Sequence, residues 1–354
     1  MTTAITIGMI IIYVAIMMGI GVYTARQTRS VSDFVLGSHS VGSWLTAFAY
    51  GTSYFSAVVF IGYAGQFGWT YGVSAAWVGV GNALLGSLLA WIVLGRRTRI
   101  MTQSLGAKTM PEYFEKRWNS KGLKIAAALI VFVFLIPYTA SVYNGLSRLF
   151  NMAFQIESEG AYKIIIIVMA LLTAIYVILG GYAATAINDF IQGIVMLIGI
   201  AAVVICAIQN QGGLTSALAA LGEIEVNGKT NTLNSVFGPD PLNLLGVVIL
   251  TSLGTWGLPQ MIHKFYAIKS ENDIKKGAVI STVFALIVAG GSYLLGGFDR
   301  LFCTLTEDGS GKTVISTLSN GKPDFDAMIP SLLHTALPDI LIGLVVVLVL
   351  SASM

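Results

Sequence analysis

SWLTAFAYGTSYFSAVVFIGYAG, Ser43 to Gly65, has the length of one membrane-spanning segment but carries the wrong residues at its centre. In lipid every backbone polar group needs an internal partner, so a good spanning helix avoids glycine and clustered hydroxyls at mid-depth. Here Gly51, Thr52, Ser53, Tyr54 and Ser56 occupy that depth. The stretch is expected to be an interrupted helix. The rest of the chain decides what the interruption is for.

The surroundings are those of an all-α polytopic membrane protein. Of 354 residues, 55% are hydrophobic and only 10% charged, whereas a soluble domain carries a charge at about one residue in four. Nine apolar segments follow one another, at 4–24, 43–66, 73–95, 123–150, 162–181, 186–208, 241–267, 276–298 and 338–354. The first has neither a basic leader nor a small-residue cleavage site and reads as a retained helix. Cys206 and Cys303 offer no disulfide framework and no metal spacing.

Charge placement orients the segments. With alternate connections assigned to one side, fourteen of the twenty Lys and Arg residues gather there, Arg96, Arg97, Arg99 and Lys116 among them. The positive-inside rule makes that side cytoplasmic and puts the N-terminus outside, in a plasma or inner membrane. The polar stretches 209–240 and 299–337 then become external loops, the first with a short helix expected at 214–222. DGSGKT, Asp308 to Thr313, lacks the leading glycine of a phosphate-binding loop, because position 306 is Thr.

Three further places put polar groups inside the membrane. TSLGTWGLPQ, Thr251 to Gln260, interrupts the seventh segment with Gly254, Gly257 and Pro259. A broken helix frees carbonyls and amides that can hold a bare cation or a polar solute. Two of them in corresponding halves of a chain point to a transporter's central site. GGYAATAINDFIQG, Gly180 to Gly193, carries Asp189, the one carboxylate placed inside a span, since Asp339 stands at the outer end of the last segment. An intramembrane ionisable group is functional by default, so Asp189 is expected to serve an ion pathway or gate, with Gln192 on the same face. The bland alternative is a helix cap. Tyr138, Ser141 and Asn144 form a polar stripe behind Pro137, a pattern that joins helices more often than it touches a solute. The histidines at 39, 263 and 334 are scattered, and no hydrolase or metalloprotease signature occurs, so the chain does not read as an enzyme.

With these residues in view, the chain resembles the sodium:solute symporter family. SVSDFVLGSHSVGSWLTAFAYGTSYFSA (Ser30–Ala57) is similar to the family's first loop and first broken helix, and MPEYFEKRW (Met110–Trp118) to its cytoplasmic-loop motif. YVILGGYAATAINDFIQG (Tyr176–Gly193) is similar to its GG-centred signature. GTWGLPQMIHKFYAIKS (Gly254–Ser270) is similar to its second broken helix with the basic end. The four lie in collinear order. Tyr182 departs from the family, which commonly has Leu, Met or Phe after GG.

The resemblance implies a leucine-transporter-type fold in one transporter domain spanning 1–354. A leading helix, 4–24, precedes a first inverted repeat over 43–208 and a second over 241–354 that lacks its last helices. The chain is accordingly expected to be a piece of a longer carrier. The resemblance further implies Na⁺ as coupling ion and no organic cofactor. The ligands carried over are the carbonyls of Thr52, Phe55 and Ala352, with two hydroxyls expected beyond Met354. It implies a small polar solute, of amino acid, sugar or carboxylate type, contacted by Ser53, Tyr54, Ser56, Thr255, Trp256 and Gln260. Proline carriers have an acidic residue in place of Tyr54 and an aromatic in place of Thr255, which argues against proline itself. The activity so implied is Na⁺-coupled symport into the cell by alternating access, with the lipid bilayer and no nucleic acid as partner. The alternative is the membrane sensor module of a signalling protein built on the same fold.

Overall fold

Bilayer thickness sets the layout, because about 20 residues at 1.5 Å each cross a hydrocarbon core of roughly 30 Å. The computed structural model describes residues 2–26, 30–37, 41–154, 159–307 and 311–353. All nine apolar segments are helical in it. Among the described residues, five helices are long and apolar enough to cross a membrane, and a bent pair over Pro241–Ala267 makes a sixth. The smaller number arises because two pairs of neighbouring segments join end to end, over Val58–Leu105 and Lys163–Asn210, and the last apolar helix, Ile340–Leu350, is shorter. Helix α1 (Thr2–Ala25) leads, and α2 (Val31–Leu36) follows it, started by a Ser30–Asp33 capping box.

Helix α3 (Ser43–Tyr54) then runs into the first break. Phe55 is extended, at φ −93° and ψ 113°, and the chain resumes as a wide turn at Val58–Tyr63 and helix α4 (Ala64–Tyr71). Gly72 reverses the chain at φ +62°. A continuous helical run follows from there through α5 (Ala76–Gly81) to α6 (Arg96–Leu105). A Cβ on Gly72 would fall 2.2 Å from the Leu233 carbonyl oxygen, so only glycine fits.

Helix α7 (Met110–Trp118) is capped by Thr109 and leads into α8 (Lys121–Phe154). Along α8 apolar side chains such as Ile125, Phe132, Val133 and Phe134 face outward, a surface suited to hydrocarbon rather than water. At 52 residues, α9 (Glu159–Asn210) is far too long for one crossing, and it kinks at Gly181, with φ 60° and ψ −154°. A Cβ on Gly181 would lie 2.8 Å from the Phe34 carbonyl oxygen, so α2 also holds this kink. The short helix expected at 214–222 is α10 (Leu214–Glu223).

Helices α11 (Pro241–Leu253) and α12 (Pro259–Ala267) form the second broken span. A tight turn at Gly254–Gly257 and an extended Leu258 separate them, and the two arms are bent by 53°. Helix α13 (Glu271–Gly296) follows and packs against α3, α4, α5 and α9. The loop at 299–337 holds α14 (Asp299–Phe302), a parallel pair β1 (Cys303–Thr304) with β2 (Thr313–Val314), and α15 (Met328–Ala336). Asp308–Ser310 of the DGSGKT stretch lie outside the described residues. Helix α16 (Asp339–Ser353) packs on α1, α8 and α9.

Glycine allows α13 to reach the centre of the bundle. A Cβ on Gly68 would sit 2.0 Å from backbone atoms of Gly296, and one on Gly79 would sit 2.4 Å from Gly290. Backbones this close gain van der Waals packing that a side chain would prevent. Gly68→Ala is therefore expected to destabilise the protein by about 1–3 kcal/mol, the usual penalty for overpacking. Thermal unfolding of the detergent-solubilised variant checks this.

Candidate functional site

The first break leaves polar backbone without partners in the middle of the bundle. The Phe55 amide still donates to Gly51 O at 3.1 Å. Backbone bonding resumes with the amides of Val59 and Phe60, which donate to Ser56 O at 3.0 and 3.1 Å. Between them, the carbonyls of Thr52, Ser53, Tyr54 and Phe55 accept no backbone N–H among the described residues. Thr52, Tyr54, Phe55 and Ser56 are all buried. Buried carbonyls without donors are rare and costly, and they are the groups a desolvated cation needs. No cluster of three or more His, Cys, Asp or Glu suited to a metal occurs among the described residues.

The two broken spans meet beside these carbonyls. The Tyr54 hydroxyl donates to Thr251 O at 3.1 Å, from α3 to α11. Asn82 Oδ1 accepts the hydroxyls of Thr251 and Ser252, each at 3.1 Å. A cavity of about 280 Å³ lies at this junction. Its lining includes Ser53, Tyr54, Ser56 and Thr255 of the expected solute contacts, together with Tyr138 and Ser141 from α8.

The other two expected contacts do not line this cavity, although Gln260 faces Tyr138 at its edge. The Trp256 indole donates to Leu85 O at 3.0 Å, which anchors it against the third segment. Gln260 lines a second cavity of about 340 Å³ with Thr109, Tyr182, His263 and Lys264. Both of its amide atoms are shielded from solvent and lack a well-formed hydrogen bond. The polar stripe on α8 therefore divides. Tyr138 and Ser141 face the first cavity, whereas the Asn144 amide donates to Asp326 of the 299–337 loop at 3.1 Å.

Asp189 stands on α9 next to the first break. The Thr52 hydroxyl faces its carboxylate, and Lys264 Nζ of α12 lies 3.2 Å from Asp189 Oδ2. Gln192 takes no part in this cluster and donates to the Tyr13 hydroxyl at 2.7 Å, which ties α9 to the leading helix. Ala352, on the last turn of α16, is half-buried against the same core that holds Phe55 and Phe60.

The profile of the sodium:solute symporter family matches residues 34–354. This chain belongs to the sodium:solute symporter family. Sodium/proline symporters of Staphylococcus aureus strains JH9 and COL are each 34% identical to it over 274 residues, which is 76% of this chain and 51% of theirs. The chain thus spans about half the length of those relatives. The structure of a Na⁺-coupled sialic acid symporter in a substrate-bound, outward-open state superposes with a TM-score of 0.74 at 16% identity, over 99% of this chain and 69% of that one. The chain accordingly has the leucine-transporter-type fold.

Two of the site's residues carry no mark in the sequence. Asn82 is a single amide in an apolar segment with no motif around it. Lys264 reads as part of a basic span end, and only the fold turns it towards Asp189. The 299–337 loop also reaches the first broken span. Asp326 Oδ1 lies 3.0 Å from where a Cβ on Gly62 would stand, and Arg148 pairs with the neighbouring Asp324 at 2.9 Å.

Burial pushes the Asp326 carboxyl above the usual carboxylate range, aided by Asp324 and opposed by Arg148 and the Asn144 hydrogen bond. The docked carboxyl holds its proton more tightly than the free one. Docking is therefore favoured in full below about pH 4 and weakens as the pH rises through the raised value. Asp326→Asn removes the charge and keeps an acceptor for Asn144. It is expected to raise the unfolding temperature at pH 7.5 and leave it unchanged at pH 4, as read by thermal unfolding in detergent.

Proposed function

We propose that this chain forms most of the core of a Na⁺-coupled symporter that carries a small polar organic solute into the cell. The supporting observation is the row of carbonyls, Thr52 to Phe55, without a backbone donor among the described residues, at the edge of a hydroxyl-bearing cavity between two broken helices. Such carbonyls replace a monovalent ion's water without adding net charge. In this reading Na⁺ is held by the carbonyls of Thr52 and Phe55, with Ala352 contributing from α16. The solute takes the cavity lined by Ser53, Tyr54, Ser56 and Thr255, with Gln260 at its edge beside Tyr138.

Coupling follows from shared backbone. Sodium fixes the conformation of the break and so pre-forms the solute's polar contacts. By reciprocity the solute then tightens sodium by the same factor. Each Na⁺ entering a negative cell contributes about 2.3 kcal/mol per 100 mV in addition to its concentration gradient. The basic end of the bundle is taken as cytoplasmic, in a plasma or inner membrane with the N-terminus outside. Asp189, facing Thr52 from the basic side, gives the departing ion its next ligand.

The names of the relatives favour an amino-acid-like solute, while Tyr54 and Thr255 argue against proline itself. The Tyr54 hydroxyl is engaged with Thr251 O, so position 54 serves to join the broken spans here rather than to offer a charge.

The full-length carrier in liposomes is expected to accumulate solute when Na⁺ is higher outside, and to lose this when K⁺ replaces Na⁺. Equal uptake in K⁺ would refute sodium coupling. Asp189→Asn is expected to slow sodium-driven turnover by about tenfold, the effect of roughly 1.4 kcal/mol on the limiting step. Unchanged turnover would leave Asp189 with a structural role only.

A further inference from the structure

The ion pair between Lys264 and Asp189 places a fixed positive charge where a transported one has to pass. Both side chains are largely withdrawn from solvent, Lys264 at 8% exposure and Asp189 at 18%. A carboxylate in such surroundings is costly unless a cation accompanies it. Lys264 supplies that cation from the inner arm of the second broken span, and Thr52 of the first broken span faces the same carboxylate. One carboxylate thus lies between a lysine and the candidate sodium ligands.

In the position that pairs it with Asp189 the ammonium also faces an aromatic ring, which can hold it when the carboxylate is taken. Lys264 Nζ lies 5.4 Å from the centre of the Tyr182 ring, within cation–π range. The Tyr182 hydroxyl is buried and has no hydrogen-bond partner among the described residues. The ring is held edge-on by His263 at 5.2 Å, and His263 is itself fixed by a 2.7 Å hydrogen bond with Val35 O. Tyr182 and Lys264 both line the 340 Å³ cavity at the basic end, which gives the lysine stem room to move.

We propose that Lys264 is a tethered cation that exchanges with Na⁺ at Asp189, its ammonium moving onto Tyr182 when sodium takes the carboxylate. The inference rests on the reading of Asp189 as part of the sodium path. Lys264 is then a positioning residue that sets how tightly sodium is held, and Tyr182 sets how readily the lysine gives way. Sodium and the ammonium share one negative charge and repel each other, so each weakens the other's hold on Asp189.

Equilibrium binding of radiolabelled Na⁺ to the purified full-length carrier tests this. Lys264→Gln removes the rival and is expected to lower the half-saturating Na⁺ concentration about fivefold, while Lys264→Arg stays near wild type. Tyr182→Leu removes the aromatic ring and is expected to raise that concentration. In an Asp189→Asn background, Lys264→Gln is expected to change it by less than twofold, because the two residues act through one interaction. A lysine that merely props α12 against α9 would give weaker or unchanged Na⁺ binding in Lys264→Gln, and that result overturns the proposal.

If Lys264→Gln fails to fold, the wild-type protein provides the test. Na⁺ is expected to increase amine-reagent labelling of Lys264 several-fold over K⁺, as read by mass spectrometry, and unchanged or reduced labelling overturns the proposal. Wild-type protein that does not bind Na⁺ at all would remove the sodium reading as well. Tight Na⁺ binding that is indifferent to Lys264 would remove this inference alone.

Discussion

A carbonyl inside a bilayer must find a donor or a cation, and four consecutive carbonyls, Thr52 to Phe55, find no backbone donor among the described residues. That constraint organises the structure around residues 52–55. Leaving such groups buried and unpaired costs more than a typical hydrogen bond contributes, so the break persists only where the surrounding bundle holds it. Helix α13 provides much of that support. Phe284 packs on Phe48 at 5.3 Å between ring centres, and Phe48 on Phe190 of α9 at 4.8 Å. The half of α3 that leads into the break is thereby clamped from two sides.

Gly51 takes its meaning from this clamp. It lies within regular helix, and a Cβ there would sit 2.3 Å from the Phe284 ring. The chain opens four residues later, at Phe55 and Ser56. Thr52 is likewise helical, its hydroxyl bonded back to Phe48 O at 2.9 Å. One short stretch therefore joins a glycine chosen for packing to carbonyls released by the end of the helix. The second broken span reaches the same place by different chemistry. Pro259 has no amide to give, and the extended Leu258 before it follows from the steric demand of the proline ring.

Much of this was legible in the sequence. Segment lengths, the two interrupted spans, the kink at Gly180–Gly181 and the helix at 214–222 follow from hydrophobic runs and from the backbone limits of glycine and proline. What escaped detection depends on long-range placement. Thr255, Trp256 and Gln260 are close in sequence, yet Trp256 turns to Leu85 and Gln260 to the second cavity, because the extended Leu258 and a 53° bend separate the turn from α12. Gln192 does lie one turn from Asp189, but the leading helix claims it through Tyr13. Asn144 belongs to the polar stripe of α8 by spacing and to the 299–337 loop by contact. Periodicity identifies the face of a helix, and only the neighbouring helices determine what that face meets.

The proposed coupling rests on sodium at the carbonyls freed by the break in α3. Hydrogen–deuterium exchange of the full-length carrier, followed by mass spectrometry in Na⁺ and in K⁺, reads it directly. Sodium is expected to slow exchange in peptides covering residues 51–60, because an ion across the carbonyls restrains the break and the amides that follow it. Equal exchange of those peptides in the two salts, with sodium-dependent protection elsewhere in the bundle, would contradict the account.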